Sequence, residues 1–243
     1  MKGRITFALF VLFAAAAAQH NHPAPAAATA APYHTPMVVP GRDGMLFRVW
    51  VEGQQHVLVS RSTDGGQTFG APVRVTREPE PIDANGESRP KLAVGPRGEL
   101  YVTYTRKGRQ PYTGDVRFSR SLDGGRTFDP PRTVNDDGLE TGHRFDALIV
   151  GPDGAVHVAW IDKRDQERAK AASRPYEGAA VYYTVSRDRG ASFAPNRKVK
   201  DHVCECCRLA AVFDQAGDLV LAWRDIMPGS VRDHAFVRIT RDG

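Results

Sequence analysis

Four stretches of the chain carry one pattern of apolar and polar positions. In Thr35 to Trp50, Arg89 to Tyr104, Phe145 to Trp160 and Arg208 to Trp223 the first and last residues are separated by 15, and the four align without gaps. Each predicts a strand, a tight turn and a second strand. The turns are Gly41-Arg42-Asp43-Gly44, Gly95-Pro96-Arg97-Gly98, Gly151-Pro152-Asp153-Gly154 and Asp214-Gln215-Ala216-Gly217. The second strands alternate with the strand period of two, as in Leu100-Tyr101-Val102-Thr103-Tyr104 and Val156-His157-Val158-Ala159-Trp160. A third strand follows in the first three stretches (His56 to Ser60, Asp115 to Ser119, Val181 to Val185), and a second repeat closes it. That repeat reads Ser62-Thr63-Asp64-Gly65-Gly66-Gln67-Thr68-Phe69, Ser121-Leu122-Asp123-Gly124-Gly125-Arg126-Thr127-Phe128 and Ser186-Arg187-Asp188-Arg189-Gly190-Ala191-Ser192-Phe193. A fourth copy begins at Thr240-Arg241-Asp242-Gly243, and successive Asp spacings are 59, 65 and 54.

The S-x-D-x-G-x-[ST]-F pattern has a local mechanism. Ser and Asp cap the backbone N–H groups of a tight turn, and Gly takes the conformation closed to other residues. The Asp residues therefore read as structural, at the corner between a third and a fourth strand. One unit is a four-stranded antiparallel meander. Its repetition predicts an all-β chain built as a β-propeller, with blades at about 35–77, 89–135, 144–200 and 207–243, the last truncated. Little helix is expected beyond the N-terminal segment and a turn near Gln166 to Ala172. Expected core residues are Leu92, Val94, Leu100, Val102, Phe69, Phe128, Phe193, Trp160 and Trp223.

The S-x-D-x-G-x-[ST]-F boxes resemble the Asp-box (BNR) repeats of the sialidase-like propellers, over roughly residues 35–243. The resemblance implies a six-bladed propeller, of which four blades are present here. It also implies an exported sialidase-superfamily protein, a glycosidase of exo-sialidase type acting on acidic sugars, that needs no cofactor. The family also holds other glycosidases, lyases and proteins without catalysis. A non-catalytic propeller that binds a glycan, a protein partner or a soft metal is the alternative.

Topology says where a ligand would sit. In an up-and-down blade the entrance to strand 1 and the strand 2–3 loop share one face, and the boxes occupy the other. The strand 1 entrances carry Arg89, Arg144 beside Phe145, and Arg208. Two residues past the strand 2 aromatics come Glu52, Arg106, Asp162 and Asp225, and the long loop from Asp162 to Gly178 adds Tyr176 and Glu177. The resemblance implies that three Arg clamp a substrate carboxylate, an Asp is the acid/base, and a Tyr polarised by a Glu is the nucleophile. Arg89, Arg144 and Arg208 are the candidates for the clamp. Asp162 or Asp225, with Tyr176 and Glu177, are the candidates for catalysis. The competing reading of the same residues is a set of salt bridges between blades.

Composition narrows the picture. At 41% hydrophobic and 25% charged residues, the chain has the means to bury a core. A formal charge of +5 is too small to argue for nucleic acid. Lys2 and Arg4 precede an apolar run from Ile5 to Ala18, and Ala16-Ala17-Ala18 supplies small residues for cleavage. Residues 1–18 thus read as a secretory signal, with an uncleaved anchor as the rival, and 19–34 as an Ala/Pro/His-rich disordered leader. The protein is then secreted or periplasmic, with no membrane span after signal removal and a carbohydrate or glycoconjugate as partner. All three cysteines lie in His202-Val203-Cys204-Glu205-Cys206-Cys207-Arg208. They read either as a disulfide with a third thiol left over, or as a site where His202, Cys204, Cys206 and Cys207 hold copper or zinc. An adjacent Cys206–Cys207 bridge is a further alternative. Three thiolates on one metal require an entrance loop there, because a regular strand keeps Cys204 and Cys206 on one side and Cys207 on the other. In that loop Cys204 and at least one of Cys206 and Cys207 are expected within bonding reach, for a metal or a disulfide.

Overall fold

A computed structural model describes residues 33–85 and 88–240. The expected signal and leader, and the fourth box beyond Thr240, lie outside the described residues. Three consecutive meanders form: β1 (Tyr33–Pro40), β2 (Leu46–Glu52), β3 (His56–Ser62) and β4 (Val73–Arg74); β5 (Lys91–Val94), β6 (Leu100–Lys107), β7 (Gly114–Ser121) and β8 (Arg132–Thr133); β9 (His143–Val150), β10 (Val156–Asp162), β11 (Ala179–Ser186) and β12 (Arg197–Val203). A fourth unit holds β13 (Ala210–Phe213), β14 (Leu219–Met227) and β15 (Val231–Ile239). Every strand pairs antiparallel with its sequence neighbour within a unit, and a single pair, Val203 with Asp225, ties the third unit to the fourth.

The repeated sequence folds into repeated hydrogen bonds. In all four strand 1–2 turns the first residue's N–H donates to the carbonyl four residues on: Gly41 to Met45, Gly95 to Glu99, Gly151 to Ala155 and Asp214 to Asp218, at 2.8 to 3.0 Å. The glycine that ends each turn has a φ between +75° and +89° (Gly44, Gly98, Gly154, Gly217), a region that glycine enters without strain. The boxes repeat as closely. Ser62 donates to Asp64 (2.6 Å), Gly66 N–H to Ser62 Oγ (2.8 Å) and Thr68 Oγ1 to Asp64 (2.6 Å). The same three bonds join Ser121, Asp123, Gly125 and Thr127 at 2.7 to 2.8 Å, and Ser186, Asp188, Gly190 and Ser192 at 2.5 to 2.8 Å. Hydrogen bonds from Ser62 and Thr68 hold Asp64 well below the usual carboxylate range, as those from Ser192 and Ser186 do for Asp188. Each box carboxylate is spent on its own turn.

The core lies between units rather than inside one. Leu92, Leu100, Val102, Tyr104 and Phe128 pack on Phe47, Val49 and Val51 of the first meander. From the opposite face of the second meander, Tyr101, Val116 and Phe118 pack on Val156, Val158, Trp160 and Tyr182 of the third. The third presents its other face, Phe145, Ala159, Ile161 and Val181, to Leu219, Leu221 and Trp223. The two-residue period thus sends alternate side chains of one strand into two different layers. Phe69 departs from the expected core: it is half-buried, beneath the Arg48 guanidinium at 4.4 Å. Val94 and Phe193 are likewise only partly buried, packed against the edges of these layers.

One α-helix, α1 (Arg164–Ala171), occurs among the described residues where a turn near Gln166 to Ala172 is expected. Good helix formers, Asp165 and Glu167 in the first turn, and Arg168 and Lys170 in the last suit that helix. No helix among the described residues is long and apolar enough to cross a membrane.

Candidate functional site

A pocket of about 520 Å³ opens where the strand 1 entrance of the third meander meets loops from its neighbours. Arg144 and Phe145 come from β9, Ile161 and Lys163 from the end of β10, Tyr112 from the β6–β7 loop, and Glu205, Cys206 and Arg208 from the turn after β12. These are strand 1 entrances and strand 2–3 loops, the face that topology assigns to a ligand.

Phe145 organises the pocket. Its φ is +56°, rare for a bulky residue, and the β9–β10 pairing skips register beside it, between Ala159 and Ile161. Both guanidinium groups lie on the Phe145 ring, Arg144 from the bulged strand itself at 4.7 Å and Arg208 from the turn after β12 at 4.9 Å. Arg144 is also held by Asp83, which accepts from Nε at 2.9 Å and from Nη2 at 2.7 Å. Arg208 donates Nη1 to the Cys206 carbonyl at 2.8 Å. Lys163 pairs with Glu205 at 2.5 Å, and Tyr112, 77% exposed, stands at the rim with Arg144 5.8 Å from its ring. Three cations and one carboxylate, Glu205, line the pocket around an aromatic floor, and Asp83, outside the lining, holds Arg144. Such a lining suits an anionic group attached to an apolar or ring-shaped body.

Of the three Arg proposed for a clamp, Arg144 and Arg208 come together and Arg89 does not. Arg89 is exposed and absent from the pocket lining, and its carbonyl accepts from Lys91 Nζ at 2.8 Å. The physical reason is where the strands begin. β9 starts at His143, so Arg144 lies inside it, whereas β5 starts at Lys91 and leaves Arg89 in the preceding loop. The Arg144–Asp83 contact, between residues 61 positions apart, is also the kind of salt bridge that the competing reading expects.

The four residues proposed for catalysis occupy other surroundings. Asp162 is fully buried and accepts from the Trp160 indole at 2.7 Å, the Arg164 N–H at 2.8 Å and Arg164 Nε at 2.9 Å. Asp225 repeats the arrangement, taking the Trp223 indole at 2.6 Å, with Lys200 at 3.4 Å. Each Asp two positions past its Trp thus anchors the indole on its own side of the strand. Tyr176 donates to Asp201 at 2.7 Å rather than to Glu177; burial and then that carboxylate push its phenol well above the ordinary value. Glu177 reaches Ser230 at 3.5 Å. None of the four lines the pocket.

A buried ionic cluster missed in the sequence lies behind Asp162. His143, fully buried, donates Nδ1–H to the Gly114 carbonyl at 2.8 Å and faces Asp137 through Nε2 at 3.1 Å. Burial pulls its imidazole down. The Asp137 hydrogen bond, the charges of Asp162 and Asp137, and the Gly114 carbonyl outweigh that and raise it. Asp137, His143 and Asp162 lie close enough together to ligate a cation. Arg164 Nε already stands 2.9 Å from Asp162 and 3.6 Å from Asp137, so the carboxylates have their counter-charge in the chain. The signal available in sequence was weak: isolated Asp and His residues scattered over three elements.

The cysteines turn back at the end of β12, in the expected entrance loop. Cys204 Sγ lies 2.8 Å from Cys207 Sγ and 3.4 Å from Cys206 Sγ, with no disulfide. Burial raises Cys207, reinforced by Cys204, to about 12. Cys204 is held below its ordinary value, because hydrogen bonds from Cys207, Cys206 and Arg232 outweigh its burial. His202 does not join them. Its Nδ1 meets the Glu177 carbonyl at 3.1 Å and its ring lies 4.8 Å from the Tyr176 ring.

No family model and no curated protein matches this chain. Solved structures do match its fold. A Hadza microbial sialidase superposes with a TM-score of 0.54 at 22% identity, over 86% of this chain and 45% of that one. An alpha-L-arabinofuranosidase of Fusarium graminearum gives 0.53 at 14%, over 85% and 61%. The NanB sialidase from Streptococcus pneumoniae gives 0.51 at 11%, over 84% and 30%. The chain thus spans less than two thirds of the length of these proteins, and what it shares with them is a nearly all-β fold.

Proposed function

We propose that this chain is part of an exported β-propeller protein of the sialidase-like kind, its meanders serving as blades, and that it recognises an acidic carbohydrate. The observation that carries the reading is the pair of guanidinium groups, Arg144 and Arg208, converging on Phe145 in a pocket on the entrance face. A sugar carboxylate between two guanidinium groups makes charge-assisted bonds, while an apolar sugar face can cover the exposed Tyr112 at the rim. Lys163 adds a third cation and Glu205 a partner for sugar hydroxyls.

Recognition is favoured over hydrolysis by this chain alone. Asp162 and Asp225 are committed to the Trp160 and Trp223 indoles, and Tyr176 is committed to Asp201. Glycoside hydrolysis is the second reading, supported by the likeness to sialidases and an arabinofuranosidase. Incubation with a fluorogenic sialoside separates the two. The recognition reading expects no turnover, together with competitive binding of acidic sugars that Arg208→Ala weakens about 10-fold or more. Turnover lost in Arg144→Ala and Arg208→Ala establishes hydrolysis instead.

A further inference from the structure

The turn after β12 carries a second site that the carbohydrate reading does not use. Val203 ends the strand, the Cys204 N–H is anchored on the Arg224 carbonyl at 2.8 Å, and the Cys207 N–H closes back on the Cys204 carbonyl at 3.3 Å. That reversal overcomes the alternation which would separate Cys206 from Cys207 in a strand. The three Sγ atoms all lie within 4.8 Å of one another. A soft cation about 2.3 Å from each of three thiolates in a trigonal plane needs sulfurs about 4.0 Å apart, so small side-chain rotations within the turn open the site.

We propose that Cys204, Cys206 and Cys207 form a three-thiolate site for Cu(I) in the wall of the pocket. Ligand number argues for the metal. His202 is turned away onto Glu177 and Tyr176, and no fourth ligand joins the three thiols among the described residues. Soft thiolates without nitrogen or oxygen partners suit a monovalent, thiophilic ion, whereas structural zinc is closed by four ligands. The surroundings supply compensating charge. Arg224 Nη1 approaches Cys207 Sγ at 3.9 Å, and its buried Nε has no hydrogen-bond partner among the described residues. Arg208 holds the Cys206 carbonyl. An entry path exists as well: Cys206 is exposed and lines the pocket beside Arg144 and Phe145. The three thiolates are not among the proposed carbohydrate contacts, although Arg208 adjoins both, so either reading survives failure of the other.

The test is anaerobic titration of the full chain, stripped of metal and reduced, against Cu(I) buffered by a coloured chelator such as bathocuproine disulfonate. One equivalent of Cu(I) should leave the chelator. Cys206→Ser, a change at an exposed side chain, should weaken binding about 100-fold or more with an unchanged circular-dichroism spectrum. Cys204→Ser should do the same. Failure to withdraw Cu(I), equal binding by Cys206→Ser, or retention of Zn(II) in preference to Cu(I) overturns the proposal. Protein isolated without reductant that holds a disulfide, one free thiol and no metal also overturns it.

Discussion

His143 and His157 sit in opposite electrostatic surroundings, and they make stability depend on pH at both ends of the scale. His157 is packed against Tyr183 and Phe213, and burial takes it down to about 4, with Asp153 opposing and Arg187 adding. Between its ordinary value of 6.5 and 4, the unfolded chain takes up a proton that the folded chain refuses. Stability therefore falls as pH drops through that window, by on the order of 3 kcal/mol across it. His143 is raised, so its contribution is full below 6.5 and is lost as pH rises through the folded value. Urea denaturation from pH 4 to 9 should show His157→Phe flattening the acid limb and His143→Gln flattening the alkaline one. Unchanged limbs in both variants contradict these assignments. The same residue scale explains what the sequence hid. Asp162 and Asp225 read as catalytic from their position past an aromatic, and that spacing does not show that each accepts a hydrogen bond from the Trp two residues before it.

The repeated elements were legible because each rests on local chemistry: glycine at a turn's positive φ, Ser and Asp capping their own corner, and alternation along a strand. Helix α1 was legible only as a turn near Gln166 to Ala172, and the bulge at Phe145 was not legible at all. α1 lies in a loop whose only signal is helix propensity, and it is anchored by Arg164 reaching buried Asp162. The bulge needs the register of β9 against β10, which no single strand records. Gly178 shows a further tertiary constraint. It joins the α1 loop to β11 with φ +70°, and an added Cβ would lie 2.3 Å from the Val203 carbonyl and 2.5 Å from Ile226. Gly178→Ala should cost at least about 1–3 kcal/mol and displace β12, together with the cysteine turn that follows it. Thermal unfolding within a degree or two of the parent would show that this junction tolerates a side chain.

At the scale of the molecule, units hold one another by sharing side chains of opposite parity between layers, so damage to one layer should be felt in both adjoining meanders. Trp160, fully buried between the second and third, is the clearest probe; Trp160→Ala should cost about 3–5 kcal/mol. Hydrogen exchange should then show lost protection in β7 as well as in β10 and β11, whereas loss confined to the third meander would contradict shared layers. The same arrangement places entrances of neighbouring units side by side, which is how Arg144 and Arg208, 64 positions apart, meet on one ring. The central claim is that this meeting creates a site for a sugar carboxylate. Isothermal titration with a free sialic acid and with its methyl ester tests it most directly, because esterification removes the charge and leaves the ring. The account predicts binding of the acid that is lost in Arg144→Ala and Arg208→Ala, weakened by salt, and at least about 10-fold poorer for the ester. Equal affinity for acid and ester, or acid binding unchanged in both Arg variants, would contradict it.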